Sequence, residues 1–112
     1  MKVKPSKIAL QEANRMIFIS EDEIIYAMAA GNYTEVYLTE NRKIKVLRKI
    51  KEIEALLSQD NFIRIHRSYL INTDTVIRYE QLGSEQIILS NGTTLPLARS
   101  RRSQFIDRFR KI

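Results

Sequence analysis

Short runs of β-forming residues, each ended within a few positions by a turn signal, recur along nearly the whole chain. Residues 16–19 (MIFI) and 24–30 (IIYAMAA) flank the acidic segment Glu21-Asp22-Glu23, a solvated turn whose consecutive carboxyls do not converge as an acid/base pair would. Gly31-Asn32 separates the second run from 33–39 (YTEVYLT), where Tyr33, Glu35, Tyr37 and Thr39 alternate with Thr34, Val36 and Leu38. Such alternation puts the two sets on opposite faces of a strand. Glu40-Asn41 predicts a turn into a short strand around 42–46. Further runs lie at 75–82, 85–90 and 93–98. The last two are joined by Asn91-Gly92, a pair that tolerates the positive φ of a type I′ turn. Pro96 predicts an edge strand or a strand end, because it cannot donate to a ladder. Strands this short, with turns between them, confine the chain to small antiparallel sheets.

Two segments change period. In 47–57 (LRKIKEIEALL), Leu47, Ile50, Ile53, Leu56 and Leu57 form one apolar stripe, which predicts an amphipathic helix stopped by Ser58-Gln59-Asp60-Asn61. Residues 101–111 predict a closing helix capped by Ser100, with Phe105, Ile106, Phe109 and Ile112 as a face that docks on the sheet. The expected fold class is therefore mainly β with one internal α-helix and a C-terminal helix. A length of 112 residues, 44% of them hydrophobic, suits one domain with one packed core. Residues 1–15 read as a lead-in, the end of a linker and a first strand, to a domain at 16–112.

Composition excludes several classes. The chain has no cysteine and one histidine, so neither disulfides nor a convergent metal site is expected. No nucleophile signature accompanies that histidine, and no catalysis and no cofactor are expected. The N-terminal MKVKPSKIALQ lacks the apolar core of a signal peptide, and no stretch reaches the roughly 18 apolar residues of a membrane span. A cytoplasmic protein that does not bind membranes is the expectation.

The charge is +6, with a pI near 9.8, and its distribution is uneven. From Arg99 to Lys111, Arg99, Arg101, Arg102, Arg108, Arg110 and Lys111 face only Asp107, and Arg42 to Lys51 carries six basic residues and no acid. A basic side suits a polyanionic partner, nucleic acid first.

Within this pattern the segment 62–72 (FIRIHRSYLIN) stands apart. Taken as one strand, its odd positions (Ile63, Ile65, Arg67, Tyr69, Ile71) face a core and its even positions carry Arg64, His66 and Ser68, ending in Asn72 before a turn. His66 and Ser68, two apart on one face, sit about 7 Å apart, too far for a catalytic pair. A structural histidine and a row facing phosphates both remain open for His66.

The run HRSYLIN at 66–72, following Phe62 and Arg64, resembles the F-x-R-x-H-R-S-x-x-x-N signature of LytTR-type DNA-binding domains of bacterial response regulators. DEIIYAMAAGNYTEVYLT (22–39) is similar to the family's opening hairpin, 47–57 to its central helix, and LSNGTTLPLARSRRSQF (89–105) to its closing segment. The resemblance covers roughly residues 16–112. It implies an elongated β–β–β sandwich-like arrangement of short antiparallel sheets, with DNA read by loops in the major groove. Carried onto this chain, it implies base contacts at Asn32, Asn72 and Arg99, and backbone contacts from His66, Arg67, Ser68, Arg101 and Arg102. Asn suits adenine N6/N7 and Arg suits guanine O6/N7. Two departures bear on site preference: Met28 stands in a strand where the family commonly has a glutamate, and Ala98-Arg99 replaces the usual Ser-Arg.

The implied function is sequence-specific binding of double-stranded DNA at promoter direct repeats by two copies. Either a two-component response regulator, with a receiver domain elsewhere in the protein, or a stand-alone regulator would carry it. The competing reading is a basic β-rich module that binds structured RNA or protein partners without DNA sequence preference.

Overall fold

The structure, a computed structural model, describes residues 7–112. Its strands are β1 (Lys7–Glu12), β2 (Arg15–Ser20), β3 (Ile24–Ala30), β4 (Tyr33–Leu38), β5 (Lys43–Val46), β6 (Phe62–His66), β7 (Tyr69–Asn72), β8 (Val76–Glu80), β9 (Gln86–Leu89) and β10 (Thr94–Pro96). Helix α1 (Ile50–Leu56) follows β5 and α2 (Arg102–Ile106) closes the chain, with 3₁₀ turns at Glu21–Glu23, Thr73–Thr75 and Arg99–Arg101. Every strand pair is antiparallel. No helix among the described residues is long and apolar enough to cross a membrane.

A five-stranded sheet in the order β5-β4-β3-β7-β6 forms the middle layer. The β1–β2 hairpin and α1 cover one face, around a core that includes Ile8, Leu10, Ile19, Val36, Leu38, Ile44, Ile50 and Ile53. The three-stranded sheet β10-β9-β8 and α2 cover the other, around Ile63, Ile65, Ile71, Ile87, Leu89, Leu95 and Phe105. Alternation along β4 makes this two-sided burial possible: Thr34, Val36 and Leu38 are buried, while Tyr37 turns to the second core and stacks on Tyr26 at 4.4 Å. The result is a flattened β–β–β sandwich with extents of 44 × 41 × 24 Å. Mainly β, with an internal and a C-terminal helix, it matches the expected fold class.

The lead-in at 1–15 is in part a domain element: β1 pairs with β2 and buries Ile8 and Leu10, while residues 1–6 lie outside the described residues. Gly31-Asn32 forms a two-residue turn between Ala30 and Tyr33, with positive φ at Gly31 alone, as a type II′ turn requires. Pro96 lies on an edge strand, as anticipated.

Three local expectations are corrected. Residues 62–72 are two strands, β6 and β7, folded back on each other through a turn at Arg67-Ser68. The Asn91-Gly92 reversal is present, but only Gly92 has positive φ; Leu89 N–H bonds Thr93 O across a three-residue loop, so the turn is not type I′. The closing helix is shorter than 101–111: a 3₁₀ turn precedes five α-helical residues, Ser100 lies within that turn, and no side chain caps either segment. Phe105 is buried, Ile106 and Phe109 pack beside it, and Ile112 is exposed.

Candidate nucleic-acid interface

One end of the middle sheet gathers four loop segments in strand order. At its centre the Gly31-Asn32 turn, between β3 and β4, lies beside the Arg67-Ser68 turn, between β6 and β7, because β3 and β7 are hydrogen-bonded neighbours. Ala29 N–H donates to Ser68 O at 2.9 Å and ties the two turns together. On the β6 side, Ala98 N–H donates to Ile65 O at 2.8 Å, which delivers the Arg99–Arg101 turn and Arg102 to the same end. On the β5 side, the buried Thr34 hydroxyl donates to Arg48 O at 2.7 Å and fixes Leu47-Arg48-Lys49, the link into α1. Strand spacing of about 4.8 Å makes the row from β5 to β6 roughly 19 Å wide.

The side chains on this row are basic or amide and largely uncommitted. Asn32, Arg67 and Arg99 are exposed and join no side-chain hydrogen bond or ion pair among the described residues. Arg102 pairs loosely with Glu85 at 3.5 Å. Arg48 reaches Glu52 at 3.2 Å, and the Lys49 N–H, followed by Arg48, holds the Glu52 carboxyl below its ordinary value. Lys45 stands 4.0 Å over the Tyr33 ring, a cation–π contact on the strand leaving the Asn32 turn.

The Arg67-Ser68 turn is heavily braced. His66 Nδ1 accepts the Ser68 N–H at 3.1 Å, and its ring tilts against Tyr69 at 5.5 Å. Arg64, whose side chain is 14% exposed, donates to His66 O at 3.1 Å and Arg67 O at 2.6 Å, and pairs with Glu54 of α1 at 2.8 Å.

The Asn72 expectation is corrected by its placement. It ends β7 opposite Phe62, at the far end of the sheet from the Arg67 turn, and is 3% exposed. Its amide donates to Ile24 O at 2.9 Å and its oxygen accepts the Asp74 N–H at 3.0 Å. Asn72 caps the Thr73–Thr75 turn and locks β7 to β3, with no polar atom left for a base.

The basic runs are divided in the same way. Arg42 and Lys43, at the opposite end of β5, pair with Glu23 and Glu35. Arg108 bonds Phe62 O at the far end of β6. Of the expected contact residues, the structure brings Asn32, His66, Arg67, Ser68, Arg99, Arg101 and Arg102 together and leaves out Asn72. Arg48 and Lys49 join the row although they are not among the contact residues that the resemblance implies. The abrupt switch from strand to helix period at residue 47 was the available signal, since it marks a loop at a strand end.

Comparison with known proteins bears on family and fold. The family model described as LytTr DNA-binding domain matches residues 14–110. The sensory transduction protein LytT of Oceanobacillus iheyensis is 32% identical over 75 residues, 67% of this chain and 30% of that protein. The transcriptional regulatory protein LytR of Staphylococcus aureus is 30% identical over 91 residues, 80% of this chain and 37% of that one. The chain thus spans about a third of the length of these curated relatives. A solved structure, the LytTr DNA-binding domain of a putative methyl-accepting/DNA response regulator from Bacillus cereus, superposes with a TM-score of 0.78. It covers 94% of this chain and 97% of its own at 24% identity, a likeness of fold. On the family match, supported by the shared fold, the chain belongs to the LytTr DNA-binding domain family.

Proposed function

We propose that this chain binds double-stranded DNA sequence-specifically, as the output domain of a bacterial transcriptional regulator. The observation that carries the proposal is the convergence of four basic or amide loop segments on one sheet end, where Asn32, Arg67 and Arg99 are exposed and uncommitted, while Arg42, Lys43 and Arg108 at the far end are held by acids or backbone. A row of about 19 Å is wider than a major groove of about 12 Å. Its central turns therefore enter a groove while the flanking segments reach phosphates or the next groove.

Asn32 and Arg99 keep their base-reading roles. Arg67, at the tip of its turn, takes the role first given to Asn72, with guanine O6/N7 as its natural target. Arg48, Lys49, Ser68, Arg101 and Arg102 hold phosphates and set register without reading sequence. His66 shapes the turn from within. Two copies on direct repeats, and a receiver domain elsewhere in the longer protein, complete the reading. The regulatory names of the longer relatives support it.

Amide chemical-shift mapping with a mixed-sequence duplex tests the surface. Perturbations are expected at residues 31–32, 48–49, 67–68 and 99–102. A response confined to the Arg42-Lys43 end would contradict the proposal.

A further inference from the structure

Arg64 is the most constrained charged side chain next to the proposed DNA surface. Its guanidinium makes three contacts at once: His66 O at 3.1 Å, Arg67 O at 2.6 Å and the Glu54 carboxylate at 2.8 Å. The two carbonyls flank the Arg67 peptide, so the cation sits inside the turn whose tip carries Arg67. Neither Arg67 nor Ser68 has positive φ, and no glycine shapes this reversal. A turn of ordinary residues has many conformations available, and here side chains select one: Arg64 and His66 grip it from within, while Ala29 N–H bonds Ser68 O from the neighbouring strand. Glu54 lies on α1, whose N-terminal link carries Arg48 and Lys49 to the same sheet end. One ion pair therefore connects the helix behind the sheet to the turn in front of it.

Building on the DNA-binding reading above, we infer that Arg64 and Glu54 act as a positioning pair that presets the Arg67 turn for base readout. Neither touches DNA. A lysine at 64 retains the charge but cannot span two carbonyls and a carboxylate with a planar fork. Loss of the pair leaves a turn that can still bind phosphates while Arg67 samples several orientations. Ordering it on the duplex then costs specific affinity and leaves nonspecific affinity intact.

The sign of one substitution separates positioning from plain electrostatics. Glu54→Ala removes a negative charge near a polyanion, and attraction alone makes every duplex bind more tightly. Positioning predicts the reverse for the preferred site. Alanine is the best helix former, so α1 tolerates the change.

The test uses the whole chain and two probes: a duplex enriched by the wild type from a random pool, and a scrambled duplex of the same composition. Arg64→Lys and Glu54→Ala are each expected to reduce the ratio of enriched to scrambled affinity roughly tenfold, the scale of a charge-assisted hydrogen bond. The salt slope on the scrambled duplex should stay unchanged, and amide exchange at residues 66–68 should accelerate. Thermal unfolding reports whether each variant is folded, and Glu54→Ala decides if Arg64→Lys is not. An unchanged or tighter ratio in Glu54→Ala overturns the inference, as does a fall confined to Arg64→Lys with a shallower salt slope, which marks a direct phosphate contact. Arg67→Ala guards the reading beneath: if it leaves the ratio intact, or if the wild type enriches nothing, base reading at this turn is wrong and the inference falls with it. A loss in Arg67→Ala without one in the positioning variants removes the inference alone.

Discussion

In the proposed reading Arg67 takes the role that the resemblance implies for Asn72, and the reason lies in burial. Asn72 closes a family-like motif, but both ends of its side chain are consumed within the protein at 3% exposure. Asn72→Ala should therefore cost about 1–3 kcal/mol of stability, the range for an orphaned buried partner, and leave base preference as it was. Chemical denaturation paired with a binding assay separates the two effects. Arg99 behaves oppositely, being exposed and without an internal partner. Arg99→Ala should cost about 1–3 kcal/mol on the preferred duplex and relax the choice at one base. Arg101→Ala should weaken all duplexes alike and flatten the salt slope by about one unit, as titrations at several salt concentrations would reveal. What motif reading missed here is side-chain satisfaction, which depends on Ile24, forty-eight residues away.

At the scale of elements, the hairpin β6–β7 hid behind its own alternation. A two-residue turn ordinarily inverts odd/even parity, as His66 opposite Tyr69 requires. A bulge between Arg64 and His66 inverts it again, so Phe62 meets Asn72, Ile63 meets Ile71 and Arg64 meets Leu70. Even positions share one face on both strands, and the pattern is indistinguishable from a single continuous strand. Hairpins marked by Gly31 or Gly92 were legible because positive φ leaves a residue signature. Short helices were legible in period but not in length, since the α2 segment ends where Phe105 is already packed. Joints between elements carry the pH dependence. The Lys45 N–H, with Arg15, lowers the Glu12 carboxyl where β1 meets β5; Arg42, with the Ser20 N–H, lowers Glu23; the Tyr37 hydroxyl, then Lys43, lowers Glu35. The unfolded chain thus binds more protons at these sites, and their stabilisation is present above the ordinary value of 4.5 and lost as pH falls below it. Amide protection in β1–β2 and β4–β5 should therefore fall on acidification below that value. Protection there that does not change with acidification would contradict the assignment.

For the whole molecule, strand order decides where the proposed DNA surface lies. A basic side was legible from charge counts, but Arg42 and Arg48 were indistinguishable in them. Only the direction of β5 sends one to the Glu23 end of the sheet and the other to the loop row. Strand order in the middle sheet follows from pairings between distant segments, such as β3 with β7, and no local period encodes these. That order sets Asn32 beside Arg67, and Arg99 beyond them, on one edge. The most direct test of this account is selection from random duplex DNA at physiological salt, run in parallel with the wild type, Arg67→Ala and Arg99→Ala. The account predicts that the wild type enriches one motif, repeated on one face of the duplex, and that each variant loses preference at a different base within it. Enrichment of no motif, with binding that only fades as salt rises, or one motif shared unchanged by all three proteins, would contradict it.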